Sequence, residues 1–344
     1  MALAVSAEAR TAIILSNVSK TWFRGEWDAY RARFVSADGR VVDNANGGIS
    51  HSEGQGYGML LALEADDAAS FETIWHWTSQ HLRRPSDALF SWKWDPVKGE
   101  VGDLNDAADG DILIAWGLAR AAKRFSRPDY EHEARAIAKD VGAKLVKASP
   151  FGPILMPGVQ GFGAPDQPDG PVVNLSYWVF PALRDFSTLA PETNWSDVRR
   201  TGYRLLAQSH FGSRRLPANW EALGGQAPVP ARNFPAQFGY DAIRIPLYLA
   251  ADPDSPRAAL YPFIAQDLAS ASGPHPAVID VATGVVGQAM SGNGYRAVLA
   301  LARCAVHGEQ IPSGLMSARD DLYYSETLRL LSLSIVQERF ARCL

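Results

Sequence analysis

Apolar residues return every three or four positions along most of this chain, and no long stretch alternates apolar with polar, so the backbone is committed to helices packed on helices. That spacing predicts helices over residues 54–67 and 71–82, then over 111–125 and 130–148. The second pair is joined by Ser126-Arg127-Pro128-Asp129, whose proline suits a first helical turn. Further helices are predicted over 177–186, 195–208, 242–250, 255–271, 291–307 and 325–339. Short strands are expected only within 33–42 and 279–286, as surface hairpins. Two irregular stretches interrupt the pattern, 150–171 and 228–238, and the first is too long for an ordinary connection, which marks it as functional. With 344 residues and no change of composition between the halves, one domain over residues 10–344 is expected. No strict repeat is present, which leaves either a closed ring of helical hairpins or an open bundle.

Charge narrows the partners. The 33 Lys and Arg against 37 Asp and Glu give a formal charge of -4, with no basic stripe for nucleic acid. Ten Trp and eleven Tyr exceed what a core readily buries, so some should line a groove, where rings stack on sugar faces, peptides or bases. The histidines form no His-x-x-x-His, two cysteines cannot build a four-cysteine zinc site, and no Gly-x-Ser-x-Gly elbow occurs; neither a metal nor another cofactor is expected. Cys304 and Cys343 flank a turn near Asp320 and Asp321, so antiparallel helices would either pair them as a disulfide in an oxidising compartment or bury them as separate thiols. No apolar run reaches the roughly 18 residues of a membrane span. Val5-Ser6-Ala7 reads either as the end of a trimmed secretion signal or as an ordinary terminus. Asn-x-Ser triplets at Asn17, Asn174 and Asn194 are at most glycan acceptors.

Three expected helix starts carry carboxylates. In His51-Ser52-Glu53-Gly54-Gln55-Gly56-Tyr57-Gly58 the glycines miss the dinucleotide-loop spacing. Either Ser52 or Glu53 caps the helix, or the glycines clear bulk so that a polymer reaches Glu53. In Asn105-Asp106-Ala107-Ala108-Asp109-Gly110-Asp111 the twelve-position pattern of a calcium loop is missing. The carboxylates there either cap a helix, or Gly110 lets Asp109 face a cleft while Asp111 serves the backbone. In Tyr240-Asp241-Ala242-Ile243-Arg244 the acid and the arginine share one face of a turn, as a local ion pair or as part of a site. If the helices close into a ring, starts at one end converge, and converging carboxylates are what glycoside chemistry requires.

Together the segments SEGQGYGMLLAL (52–63), AADGDILIAWGLARA (107–121) and FGYDAIRIPLYL (238–249) closely resemble glycoside hydrolase family 8, especially the cellulases that accompany bacterial cellulose synthesis. LFSWKW (89–94), NLSYWVFPALRDF (174–186), LPANW (216–220) and YYSETLRLLSL (323–333) extend the resemblance, in one order, over roughly residues 22–335. It implies an all-α fold, an (α/α)6 barrel with minor surface hairpins and a cleft across one end. It places the general acid on Glu53, the general base on Asp241 and a sugar-positioning carboxylate on Asp109, with Ala108 where the family commonly has Ser or Thr. An intact Tyr240-Asp241-Ala242 favours a glucanase over the chitosanase-like branch, and the implied chemistry is inversion, with Tyr240 and Arg244 holding Asp241. Trp92, Trp94, Tyr177 and Trp178 become candidate stacking platforms, of which one or two should be core. The implied substrate is a β-1,4-glucan, in a secreted or periplasmic setting beside the cellulose synthase machinery. A xylanase, a mixed-linkage glucanase or a glucan-binding helper of export stands as the alternative.

Overall fold

The computed structural model describes residues 7–265, 276–317 and 319–344, with side chains from residue 21 onward. Twelve α-helices lie among them: α1 (Ala7–Phe34), α2 (Ser52–Glu64), α3 (Ala68–His81), α4 (Ala108–Phe125), α5 (Pro128–Leu145), α6 (Phe180–Leu189), α7 (Trp195–Gln208), α8 (Ile245–Ala251), α9 (Tyr261–Ile264), α10 (Asn293–His307), α11 (Ser313–Ser317) and α12 (Tyr323–Arg339). The even-numbered helices touch in sequence, and α12 returns to α2, which closes an inner ring; α1, α3, α5, α7 and α9 pack around it. The chain is therefore the (α/α)6 barrel of the family resemblance, and not the open bundle.

Local chemistry explains the inner helices. In α2 every residue except Glu53 and Glu64 is buried, as befits a helix surrounded by others. Its glycines serve that packing: a Cβ on Gly56 would lie 2.6 Å from Leu113 Cβ, and one on Gly110 of α4 would lie 2.1 Å from Ser52 Oγ. Gly56 and Gly110 thus bring α2 and α4 together, whereas Gly54 lies against Tyr323 of α12 and Gly58 against Val41. Helix α4 starts with Asp109 and Asp111, which favour the positive helix end, finishes with Lys123 and Arg124, and stops at Ser126 in the left-handed region (φ 56°).

Several sequence expectations change. Helix α1 was not anticipated, although Phe23, Trp27, Tyr30 and Phe34 recur at helical spacing and are all buried. The strand expected over 33–42 reduces to one bridge, Val35 with Val41. The helix expected over 255–271 is a 3-10 turn at Arg257–Leu260 followed by α9, because Pro256 and Pro262 each deny a backbone donor; residues 266–271 lie outside the described residues. Residues 279–286 hold the turn between strands Ala277–Asp280 and Val286–Ala289. An unforeseen three-stranded sheet, β1 (Ser50–His51), β2 (Ser91–Asp95) and β3 (Glu100–Asp106), stands directly before α2 and α4. Cys304 and Cys343 form a disulfide. The two helices run parallel, not antiparallel: Gly294 meets Ser325 at the starts of α10 and α12, and Cys304 in the last turn of α10 meets Cys343 just beyond the end of α12.

Beneath the helix starts the barrel axis is blocked by Tyr57 and Tyr248, whose hydroxyls lie 2.6 Å apart. Below them a cavity of about 320 Å³ opens towards the other end, between the later turns of α2, α4, α6, α8 and α12.

Candidate active site

The starts of α2 and α4 and the 3-10 turn Ala242–Arg244 deliver three carboxylates to one guanidinium. Arg244 Nη1 donates to Glu53 Oε2 at 2.6 Å and to Asp109 Oδ2 at 2.8 Å. Its Nη2 donates to Asp241 Oδ1 at 3.2 Å and to Ser176 Oγ at 2.9 Å. Side-chain exposure rises from 1% for Arg244 and Asp109 through 19% for Glu53 to 32% for Asp241, so Asp241 is the acid most open to water. The backbone does not treat these groups as caps: neither α2 nor α4 has a side-chain cap, and Asp241 makes no capping bond. Asp109 Oδ1 accepts only from the adjacent Gly110 N, at 2.9 Å. The three carboxylates therefore meet at Arg244 in one cluster, the Asp241 pair with Arg244 included, and none of them makes a side-chain cap.

The electrostatics follow from burial and charge count. Three ionised carboxylates around one guanidinium would leave two uncompensated negative charges in a desolvated site, which favours retention of a proton. Burial pushes the Glu53 carboxyl up to about 7, Arg244 opposes that rise and the charge of Asp109 adds to it. Burial also raises Asp241 above the ordinary carboxylate range, again opposed by Arg244. Asn174 approaches Asp241 and favours its ionised form, although its Nδ2 completes no hydrogen bond. The phenols of Tyr57, Tyr177 and Tyr324 are pushed up mainly by burial, so they stay neutral donors beside the acids.

Outside this cluster the aromatic candidates separate. Trp92 on β2 is partly exposed, donates from Nε1 to Asp103 at 2.9 Å and has Lys93 over its ring, so it lies free of the core. Trp94, two residues on, packs edge-on against Trp77 with Arg40 over its face, because the ladder to β3 slips between Ser91 and Trp94. Tyr177 is half-buried with the Arg244 guanidinium 5.5 Å from its ring centre. Trp178 is fully buried and donates to Val198 O at 3.2 Å; as a stacking platform it is ruled out, because no face of the ring is open. Tyr240 is 37% exposed and packs against Tyr295. Arg244 holds Asp241, whereas Tyr240 contributes its carbonyl to Tyr324 Oη at 2.6 Å.

Ser176, Asn219, Tyr248 and Tyr324 were not singled out from the sequence, and Asn174 was named there only as a glycan acceptor. Asn174 is buried, which removes it as a glycan acceptor, and its Oδ1 holds Ser176 N and Oγ. Asn219 Oδ1 accepts from Gly239 N and Ala242 N at 2.8 and 3.1 Å, fixing the Asp241 turn. The only available signal was their place inside the segments NLSYW, LPANW, FGYDAIRIPLYL and YYSET.

A family model described as glycosyl hydrolases family 8 matches residues 3–338. A probable endoglucanase of Novacetimonas hansenii is 46% identical over 230 residues, which is 65% of this chain and 65% of that protein's length. Among solved structures, endoglucanase Cel10 of Klebsiella pneumoniae, a family 8 glycosyl hydrolase, superposes with a TM-score of 0.80 at 37% identity, covering 92% of this chain and 100% of that one. The endo-β-1,4-glucanase CMCax of Acetobacter xylinum superposes with a TM-score of 0.78 at 40% identity, covering 91% and 97%.

Proposed function

The chain belongs to the glycosyl hydrolases of family 8, and from that premise we propose that it is an inverting endo-β-1,4-glucanase with Glu53 as general acid, Asp241 as general base and Asp109 as the sugar-positioning carboxylate. The observation that carries this reading is the sharing of Arg244 by three carboxylates of graded exposure. Glu53, held near 7 by burial, keeps a proton to give, and Asp241, raised but paired with Arg244, stays ionised and reachable by water.

In the reaction Glu53 transfers its proton to the glycosidic oxygen as the bond from that oxygen to the anomeric carbon breaks, its electron pair leaving with the departing chain. A water on the opposite face adds to the anomeric carbon and yields its proton to Asp241. Inversion of this kind calls for carboxyls roughly 6.5–9.5 Å apart, so that water fits between base and sugar. Arg244 keeps both acids in register by holding them on different nitrogens. Asp109, buried against the same guanidinium, favours a ring shape close to the oxocarbenium-like transition state. Trp92, Tyr177 and Tyr240 supply ring surface along the cleft.

One catalytic domain over residues 10–344 carries this activity, with neither a metal nor another cofactor taking part. Its setting is secreted or periplasmic, beside cellulose synthesis. The disulfide supports an oxidising compartment. Among the described residues no helix is long and apolar enough to cross a membrane.

The test is to hydrolyse carboxymethyl cellulose, xylan and chitosan and to follow the first products by NMR. The β-1,4-glucan should be preferred and should release α-configured ends. Glu53→Gln and Asp241→Asn should each lower kcat by about 10²–10⁴-fold. Release of β-configured ends would defeat inversion, and undiminished turnover in both variants would defeat the site.

A further inference from the structure

Asp106 ends β3 and Asp111 sits in the first turn of α4, so they bracket Asp109 in sequence. Asp106 Oδ1 accepts from Arg84 Nη1 and from Val159 N, both at 2.8 Å. Asp111 Oδ1 accepts from Phe90 N at 2.8 Å. The second oxygen of each, Oδ2, is sealed from solvent and meets no donor among the described residues. The strand ladder sets Asp106 opposite Ser91, next to the Phe90 whose N–H Asp111 accepts, so the two buried carboxyls are neighbours and each acts on the other's titration. Two buried oxygens that can only accept repel one another, and a proton between them converts that repulsion into a strong bond.

We propose that Asp106 and Asp111 share one proton, carried by Asp111, and that this acid pair is the positioning device that holds Asp109 against Arg244. The proton sits on Asp111 because Asp106 has both a guanidinium and an amide to stabilise its charge, whereas Asp111 has one amide. Arg84 is the cation facing the pair. Behind it Asp87 contacts Arg84 Nε at 3.3 Å and Lys144 at 3.2 Å, and on the other side of the turn Asp109 is committed to Arg244. Burial raises both carboxyls above the ordinary range, Asp111 much further, and the charge of Asp106 adds to its rise.

Mechanically the pair ties four segments to the Asp109 turn: the strand that starts after Phe90, the end of α3 through Arg84, the long loop at Val159, and α4 itself. Ala108 N, donating to Pro157 O at 2.8 Å, adds a second tie to that loop. The 150–171 stretch therefore has a defined task in holding the carboxylate at the cleft.

The positioning role rests on the reading of Asp109 given above, whereas the shared proton does not, and two measurements keep them apart. Infrared difference spectra of the whole protein against Asp111→Asn, at neutral pH, should contain a protonated-carboxyl C=O band that moves in D2O. Its absence overturns the shared proton. In kinetics on carboxymethyl cellulose, Asp111→Ala should lose about 10- to 100-fold in kcat through misplacement of Asp109. Asp111→Asn, whose amide can still donate to Asp106, should recover most of that loss. Equal losses in the two variants overturn the donor role of Asp111. An unchanged rate in folded Asp111→Ala, checked by its melting curve, overturns the positioning role even where the band is present. Failure of the wild type to cleave any β-1,4-glucan would instead strike the functional reading and leave the infrared result standing.

Discussion

At Arg244 one guanidinium faces Glu53, Asp109 and Asp241, and burial, opposed by Arg244 and joined by the charge of Asp109, raises the Glu53 carboxyl to about 7. With Glu53 as the proposed general acid, kcat/KM should fall as pH rises through about 7, which a pH-rate profile on soluble glucan measures. The sign for stability is the same. Native Glu53 still holds its proton where an unfolded glutamate has released it, so folding stability should decline between the ordinary glutamate value and about 7. Glu53→Gln should flatten that part of the melting-temperature profile, by on the order of a few kcal/mol. The paired tryptophans of β2 separate function from packing. Trp92→Ala should weaken glucan binding by about 0.5–1.5 kcal/mol, read as a higher KM at unchanged melting temperature. Trp94→Ala should lower the melting temperature by a cost of about 3–5 kcal/mol or less, since Trp94 is only partly buried against Trp77.

Between elements, the close approach of α2 and α4 sets the site. A methyl on Gly110 would meet Ser52 Oγ at 2.1 Å and the backbone nitrogen of Glu53 at 2.8 Å, and a backbone atom cannot rotate away. Gly110→Ala should therefore cost about 1–3 kcal/mol in denaturant unfolding and lower kcat as well, because the two carboxylate-bearing turns are pushed apart. Periodicity revealed most of the inner helices but left open what their glycines do. A glycine before a helix reads alike whether it makes room for a ligand or for another helix, and only the neighbour's position tells them apart. The β2–β3 hairpin escaped notice because its burial pattern does not alternate and its ladder slips twice.

Across the whole molecule, the proposed catalytic groups gather at the starts of the inner helices, and the disulfide closes the opposite end, joining α10 to the segment after α12. Reduction, or Cys343→Ser, should cost about 2–4 kcal/mol, measured by thermal unfolding, for a bridge spanning 39 residues. Turnover at moderate temperature should be retained, since the bridge lies at the far end of the barrel from Arg244.

Helical spacing and carboxylates at helix starts are local properties, so the chain's own order of residues determined an all-helical body, three acidic turns and, through its segments, the family. Closure of the ring is a long-range property. The sequence pattern allowed an open bundle, and contact of α12 with α2 excludes it. The same holds for single residues. Asp241 and Arg244 were legible as neighbours three apart, but Glu53 meets that arginine across 191 positions and Asp109 across 135. Trp178 and Tyr177 are adjacent in sequence, yet one faces the core and the other the guanidinium. Burial, and with it the protonation of Glu53, exists only once distant segments surround a group, and for that reason the tertiary structure alone decided which acid keeps its proton.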